Sequence, residues 1–292
     1  MTLLAPAPTV GRLLAEGAAL LESQGLPAAR QEAEWLLAAA LGIDRFRLYL
    51  EPGRAVSGEI ARGFRRQVQR RARHEPLQHI VGFEEFRGLR LKTSPAALIP
   101  RPETELLVLW ALELALRHGP WAIAVDVGTG TGAIACALAA SAPDLEVVAV
   151  ERSAGALALA GTNIAALGLG GRVRLVAGDL LEPLGGLINA VDLVVANPPY
   201  IPTGDLPGLP AEVRDWEPRQ ALDGGPDGMD VHRRLVPQAA RLLRPGGWLL
   251  MEMGERQAEE LGRVMVAASF EEIGVRRDLR GVERMIGGRK GS

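Results

Sequence analysis

The sequence predicts an α/β fold in which a mostly parallel sheet is wound on both sides by helices, behind a smaller helical unit. Three observations carry this. From about residue 120 onward, strand-length apolar runs alternate with helix-length segments, the pattern of a parallel sheet with crossover helices. One of those runs, Ala124–Val127, opens into glycines at 128, 130 and 132 ahead of a helical stretch. The first 75 residues, by contrast, show only three- and four-residue apolar spacing. A chain of 292 residues accommodates two such domains.

Composition narrows the class. Hydrophobic residues make up 48% and charged residues 23%, an ordinary globular balance. A net charge of −2 supplies no global field for nucleic acid. The single cysteine, Cys136, excludes an internal disulfide and most zinc sites, and suits a reducing compartment. Met1–Val10 has no basic residue ahead of its apolar stretch, unlike a signal peptide. No apolar run reaches the ~18 residues of a membrane span. A cytoplasmic, soluble protein with no metal and no membrane partner is expected.

Taken in order, residues 9–23 and 28–41 read as helices, with Leu13, Leu14, Ala18 and Leu21, then Ala33, Leu36, Leu37 and Leu41, at helical steps. Gly25 and Pro27 separate them, and Gly42 ends the second. A short helix over 44–50 and a longer one over 57–73 complete a helical unit spanning 1–75. On the longer helix Arg62, Arg66, Arg70 and Arg73 share one face, which reads either as a solvated surface or as a dock for an acidic partner. Residues 76–97 alternate apolar and polar around Gly82 and Gly88, predicting a β-hairpin linker. The remainder, 98–292, is the sheet domain. Its first helix, over 105–117, follows Pro102 with Glu103 and Glu105 placed to favour a helix start, so structural capping explains the segment as well as function does. Strands are expected near 122–127, 146–151, 173–177, 191–196, 247–252, 272–276 and 282–286. Helices are expected near 133–141, 153–167, 229–243 and 257–268. The closing Gly287–Ser292 reads as a frayed tail.

Three acids end successive strands of the sheet domain. Asp126 precedes the turn Gly128-Thr129-Gly130-Thr131-Gly132, whose glycines let backbone approach a ligand. Glu151 ends the next strand, where a carboxylate can accept from both ribose hydroxyls. Asp179 follows the third, placed to bond an adenine amino group while Leu180 packs on the ring. The set points to a nucleoside-bearing ligand. The alternating glycines differ from the dinucleotide spacing and look like the S-adenosylmethionine loop of class I methyltransferases.

The run Val191–Ala196 reads as a buried strand and ends at Asn197-Pro198-Pro199-Tyr200. Asn-Pro alone is a strand-terminating turn, because proline gives the ladder no N–H. At the carboxyl end of a strand downstream of a cofactor loop it can do more. An amine attached to a planar π system has a delocalised lone pair and is a poor nucleophile. The Asn197 side-chain carbonyl and the Pro198 backbone carbonyl could accept both of its N–H groups, with Tyr200 lying against the planar group. Positioning of that kind can carry much of a rate enhancement, and no general base is needed. The loop alone leaves open which planar amine is methylated.

These motifs closely resemble those of the release-factor glutamine methyltransferases. The likeness runs through Pro76–Ile80 with Gly82 and Phe86, through Leu98-Ile99-Pro100-Arg101-Pro102-Glu103-Thr104-Glu105, and through Asp126–Gly132 and Asn197–Ile201. Glu217-Pro218, Ala221–Gly225, Asp227-Gly228, Glu252, Gly254 and Gln257 extend it. Glu151 stands where the family usually has Asp, His79 where Tyr is common and Met229 where Leu is. The resemblance implies a seven-stranded, Rossmann-like sheet with one antiparallel strand. It implies S-adenosyl-L-methionine as cofactor, S-adenosyl-L-homocysteine as product, and the Gly-Gly-Gln glutamine of peptide chain release factors as substrate. It also implies that the helical domain recognises the release factor, and a monomer is expected. A nucleic-acid amine methyltransferase would use the same loop; the net charge and an expected lack of exposed aromatic residues argue against it. A binding module that had kept the fold would be expected to lose Asn197 or the glycines, and both are present.

Overall fold

Helices α1 (Val10–Ser23), α2 (Ala29–Leu41), α3 (Arg47–Leu50), α4 (Gly58–Arg71) and α5 (Leu77–Val81) follow one another from the amino terminus. The computed structural model describes residues 7–292; residues 1–6, part of the stretch read above as lacking a leader, lie outside the described residues. Thr9 and Ser57 cap α1 and α4 through their hydroxyls, and Gly42 ends α2 in the left-handed conformation. Leu13, Leu14 and Leu21 of α1 pack with Leu36 and Leu37 of α2 and Phe64 and Val68 of α4. Fully burying such side chains contributes about 1.5–3 kcal/mol each. Gly17 admits the Phe64 ring, since a Cβ there would lie 2.7 Å from Phe64 Cζ.

The helical unit runs to Gly82 and takes in a second segment, Ala211–Trp216, from within the 98–292 range expected to be sheet domain. A buried ion pair explains the membership. Arg71, 3% exposed, donates to Glu32 at 2.5 Å, to Glu212 at 2.8 Å and to the Glu75 carbonyl at 3.1 Å. The linker expected over 76–97 also differs. Leu77–Val81 is helical and belongs to the helical unit, and the hairpin proper is β1 (Phe83–Phe86) with β2 (Leu89–Lys92), antiparallel around Gly88.

In the second unit α6 (Pro102–His118) leads into β3 (Ile123–Val127), α7 (Ala133–Ser141), β4 (Glu146–Glu151), α8 (Ala154–Ala166), β5 (Val173–Ala177) and β6 (Val191–Ala196). Then follow α9 (Asp230–Leu242), β7 (Leu243–Glu252), α10 (Ala258–Ala267), β8 (Phe270–Arg277) and β9 (Glu283–Lys290). The seven strands lie in the order β5-β4-β3-β6-β7-β9-β8, parallel except for β9, which runs antiparallel to both neighbours. Successive residues of β3 face opposite cores. Ala124 joins Leu107, Ala111 and Leu138 on one side, and Val125 joins Leu235, Val236 and Leu261 on the other.

Asp192, the polar break in the β6 run, accepts from the Ala122 and Ile123 N–H groups at 2.7 and 2.9 Å and from Arg244 at 2.6 Å. It thereby fixes where β3 and β7 begin, and β7 starts four residues earlier than expected. The tail expected to fray is instead strand. Gly287–Lys290 pair with β7 and β8, and a Cβ at Gly287 would come within 2.4 Å of Leu250 and 2.9 Å of Trp110. The glycines that suggested a loose end permit this close packing. No helix among the described residues is long and apolar enough to cross a membrane.

Candidate active site

Chain order leaves β3 for β4 and β5 on one side and for β6 on the other, so a crevice opens at the carboxyl ends of β3 and β6. A cavity occupies it. Its lining includes Gly128, Thr129, Gly130 and Thr131 after β3, Glu151 at the end of β4, and Asp179 and Leu180 after β5. Asn197, Pro198 and Pro199 after β6 complete that side. The sequence-predicted residues converge, with three exceptions, the first being Asp126, which lies beneath the glycine turn and does not line the cavity. Gly132 does not line the cavity; it is the N-cap of α7 with φ of 83°, a left-handed conformation that favours glycine. Tyr200 does not line the cavity.

The turn after β3 is held by two N–H groups, from Gly128 and Thr129, on the Val150 carbonyl at 2.9 and 3.1 Å. Gly128 and Gly130 have φ of 69° and 57°, which a side chain would strain. Glu151 is 9% exposed; one carboxylate oxygen accepts from Gly130 N–H at 3.0 Å and the other from Ser153 N–H at 2.8 Å. Asp126 lies beneath the turn, accepting from the Thr129 hydroxyl at 2.5 Å and Ala135 N–H at 3.1 Å. Its other oxygen is buried with no partner. Burial pushes its carboxyl up to about 7 against those two hydrogen bonds, with Glu151 adding to the shift.

At the far end Asp179 is paired to Arg234 at 2.5 Å, with Arg152 at 4.0 Å, a partner the sequence did not reveal. Leu180 has φ of 50°, rare for a leucine, in the cavity wall. Apolar contact comes from Ala97, Leu98, Val127 and Ile134. A fixed carboxylate, a glycine turn and an apolar wall together suit a nucleoside.

Behind the Asn197 loop lies a buried polar chain. The Asn197 side-chain amide donates to the Thr104 hydroxyl at 3.1 Å, and Thr104 donates to Glu252 at 2.7 Å. The Tyr200 hydroxyl donates to the other Glu252 oxygen at 3.1 Å. Glu252 is 1% exposed, and burial raises its carboxyl above the ordinary range, opposed by these hydrogen bonds and by Arg284. The Tyr200 hydroxyl is likewise pushed up, first by burial and then by Glu252. Gln257 accepts from Gly254 N–H at 2.8 Å and donates to the Tyr200 carbonyl at 3.0 Å. The Ile201 N–H donates to the Leu222 carbonyl at 3.0 Å and the Ile201 carbonyl accepts from Gly224 N–H at 2.9 Å, and a Cβ at Gly224 would strike the Pro199 carbonyl at 2.8 Å. Arg101 contacts both Glu217 oxygens at 2.7 and 2.8 Å. Thr104 was legible as part of a helix start and as a match of motif, and Glu252, Glu217 and Gly224 only as matches of motif.

Comparison with known proteins agrees with this geometry. Residues 12–82 match the model of the PrmC N-terminal domain, and residues 109–206 that of the methyltransferase small domain. A protein of Geobacter sulfurreducens is 47% identical over 284 residues, covering 97% of each chain, and is named release factor glutamine methyltransferase. Proteins of the same name from Moorella thermoacetica and Deinococcus radiodurans are 45% and 42% identical, covering 91% and 95% of this chain and 93% and 97% of theirs. Among solved structures, the human METTL16 catalytic domain in complex with a MAT2A 3′UTR hairpin shares the fold. It has a TM-score of 0.57 at 16% identity and covers 76% of this chain and 81% of that one. With this identity across nearly its whole length, the chain belongs to the release factor glutamine methyltransferases, S-adenosyl-L-methionine-dependent enzymes of class I fold.

Proposed function

We propose that this protein methylates the side-chain amide nitrogen of the glutamine in the Gly-Gly-Gln motif of peptide chain release factors, supporting translation termination. The observation that carries the reading is that Asn197 and Pro198 line the same cavity as Glu151 and the glycine turn. Glu151 would hold the ribose hydroxyls of the cofactor, its carboxylate kept in place by the Gly130 and Ser153 N–H groups. Asp179 and Leu180 would meet the adenine. When bound, the cofactor supplies a methyl group on a sulfonium, an electrophile strong enough to need no Lewis acid.

The chain's own residues then have one task, which is to present a weakly nucleophilic amide nitrogen. The Asn197 Oδ1 and the Pro198 carbonyl accept its two N–H hydrogens, and proline brings no competing donor. The nitrogen becomes acidic as its lone pair is used, so solvent can take the proton. Tyr200, held by Glu252, supports the loop from behind. The helical unit would hold the release factor. Exposed Arg62, Arg66 and Arg73 are available for that contact, whereas Arg70 is committed to Glu75 at 2.5 Å. Trp35, Phe46 and Tyr49 are also exposed on this unit, contrary to the expectation that no aromatic residue would be.

The test is methyl transfer from labelled cofactor to purified release factor, beside the same factor with its Gly-Gly-Gln glutamine replaced by alanine. Label should enter the first and not the second. Equal labelling of both would overturn the assignment.

A further inference from the structure

A primary amide has nearly the same shape either way round. Turned by 180°, Asn197 would offer the substrate two N–H donors in place of a carbonyl oxygen, at no steric cost. A site that depends on the oxygen therefore needs something to break that symmetry. The substrate's planar amide cannot do so, because it arrives carrying both an acceptor and donors of its own.

The chain behind Asn197 has a direction. A hydroxyl has one proton to donate and can accept in return. The Thr104 hydroxyl lies 2.7 Å from Glu252 and 3.1 Å from the Asn197 amide nitrogen. Both Glu252 oxygens are engaged as acceptors, one from Thr104 and one from Tyr200, so the Thr104 proton goes to Glu252 and the Thr104 oxygen is left as an acceptor. The only group Asn197 can offer to an acceptor is its NH2. The Tyr200 hydroxyl, donating to the second Glu252 oxygen at 3.1 Å, holds the carboxylate in register. Thr104 is 4% and Glu252 1% exposed, so bulk water cannot supply the missing partner for a reversed amide.

We propose that Thr104, anchored on Glu252, is a positioning residue that fixes the orientation of the Asn197 amide, so that its oxygen faces the substrate nitrogen. This rests on the acceptor role of Asn197 given above. It also assigns a purpose to the Thr in the run from Leu98 to Glu105. The start of α6 carries the hydroxyl that sets the polarity of a loop 93 residues away.

Thr104→Val keeps the shape and removes the hydroxyl. Its kcat on intact release factor should fall about 10–100-fold, the size expected for losing one buried hydrogen bond that orients a reacting group. Its cofactor Kd should stay within about twofold of the parent, since the hydroxyl bonds Asn197 and Glu252 and neither holds the ribose or the adenine. Thr104→Ser restores the hydroxyl and should recover kcat to within about threefold, which a role in packing alone would not predict. In a cycle with Asn197→Ala, which should itself lose about 10²–10³-fold, adding Thr104→Val should lower kcat no more than about twofold. Full activity of Thr104→Val beside an inactive Asn197→Ala would overturn the positioning role and leave the acceptor role standing. Full activity of Asn197→Ala would overturn the acceptor role itself. Independent, multiplying losses in the double variant, or a Thr104→Ser variant as impaired as Thr104→Val, would likewise overturn the positioning role.

Discussion

Both oxygens of Glu151 accept a backbone N–H, one from Gly130 and one from Ser153. Glutamine at this position must turn its NH2 toward one of them, setting donor against donor. Glu151→Gln should therefore weaken cofactor binding almost as much as Glu151→Ala, by roughly 2–4 kcal/mol, because oriented and charge-assisted bonds are lost together. Calorimetry of cofactor binding measures this, and a glutamine variant with the parent's affinity would remove the carboxylate from the ribose contact. Asp126 allows a second measurement. Its carboxyl is raised from 3.8 to about 7 by burial, so the folded state holds a proton that the unfolded state releases. Its contribution is complete below pH 3.8 and declines as pH rises through the window up to about 7. Asp126→Asn has no such titration, so between pH 5 and 8 the cofactor-free parent should lose about 2–3 kcal/mol relative to the variant. Denaturant unfolding at the two pH values reads the difference, and parallel loss in both proteins would show that Asp126 is not ionising in that range.

Among the elements, β9 teaches most about what periodicity can and cannot reveal. Strands β3, β4 and β6 were legible because parallel strands buried on both faces are written as near-continuous apolar runs, and the edge strand β5 because apolar residues surround its one arginine. The cavity followed from the same feature, since glycines, acids and Asn-Pro stood at the ends of those runs. Gly287-Gly288-Arg289-Lys290 has no apolar pattern, and its place in the sheet depends on Leu250 and Trp110, far off in sequence. The same is true of Thr104, Glu252 and the Arg234–Asp179 pair, whose partners lie 148, 52 and 55 residues away along the chain. Nothing in a local window records such contacts. The close packing at Gly287 makes a direct prediction. Gly287→Val would force its side chain into Leu250 and Trp110 and should destabilise the sheet unit by about 1–3 kcal/mol, the usual cost of overpacking. A thermal melt of the variant checks it, and an unchanged midpoint would mean that β9 is not packed in this way.

At the scale of the whole molecule, the difficulty is choosing one glutamine among many. Asn197, Pro198 and the cavity wall can recognise a planar amide, yet one small pocket contact discriminates by only about 1–3 kcal/mol. Selection must then come from surface remote from the chemistry, and the helical unit offers exposed cations that no ion pair within the described residues neutralises. Arg62, Arg66 and Arg73 are of this kind, while Arg65 pairs with Glu16 and Arg71 is buried. If they steer an acidic face of the release factor, their effect falls on encounter and on KM, and it weakens with salt as the Debye length shortens. Reversing all three to Glu should raise KM for intact release factor about tenfold or more at low salt. Cofactor affinity, and the rate on a short Gly-Gly-Gln peptide, should stay close to the parent's. The parent's KM should itself climb with ionic strength while that of the triple variant stays nearly flat. An unchanged KM, or the same salt dependence in both proteins, would identify these arginines as a solvated face and move the search for the docking surface to exposed Trp35, Phe46 and Tyr49.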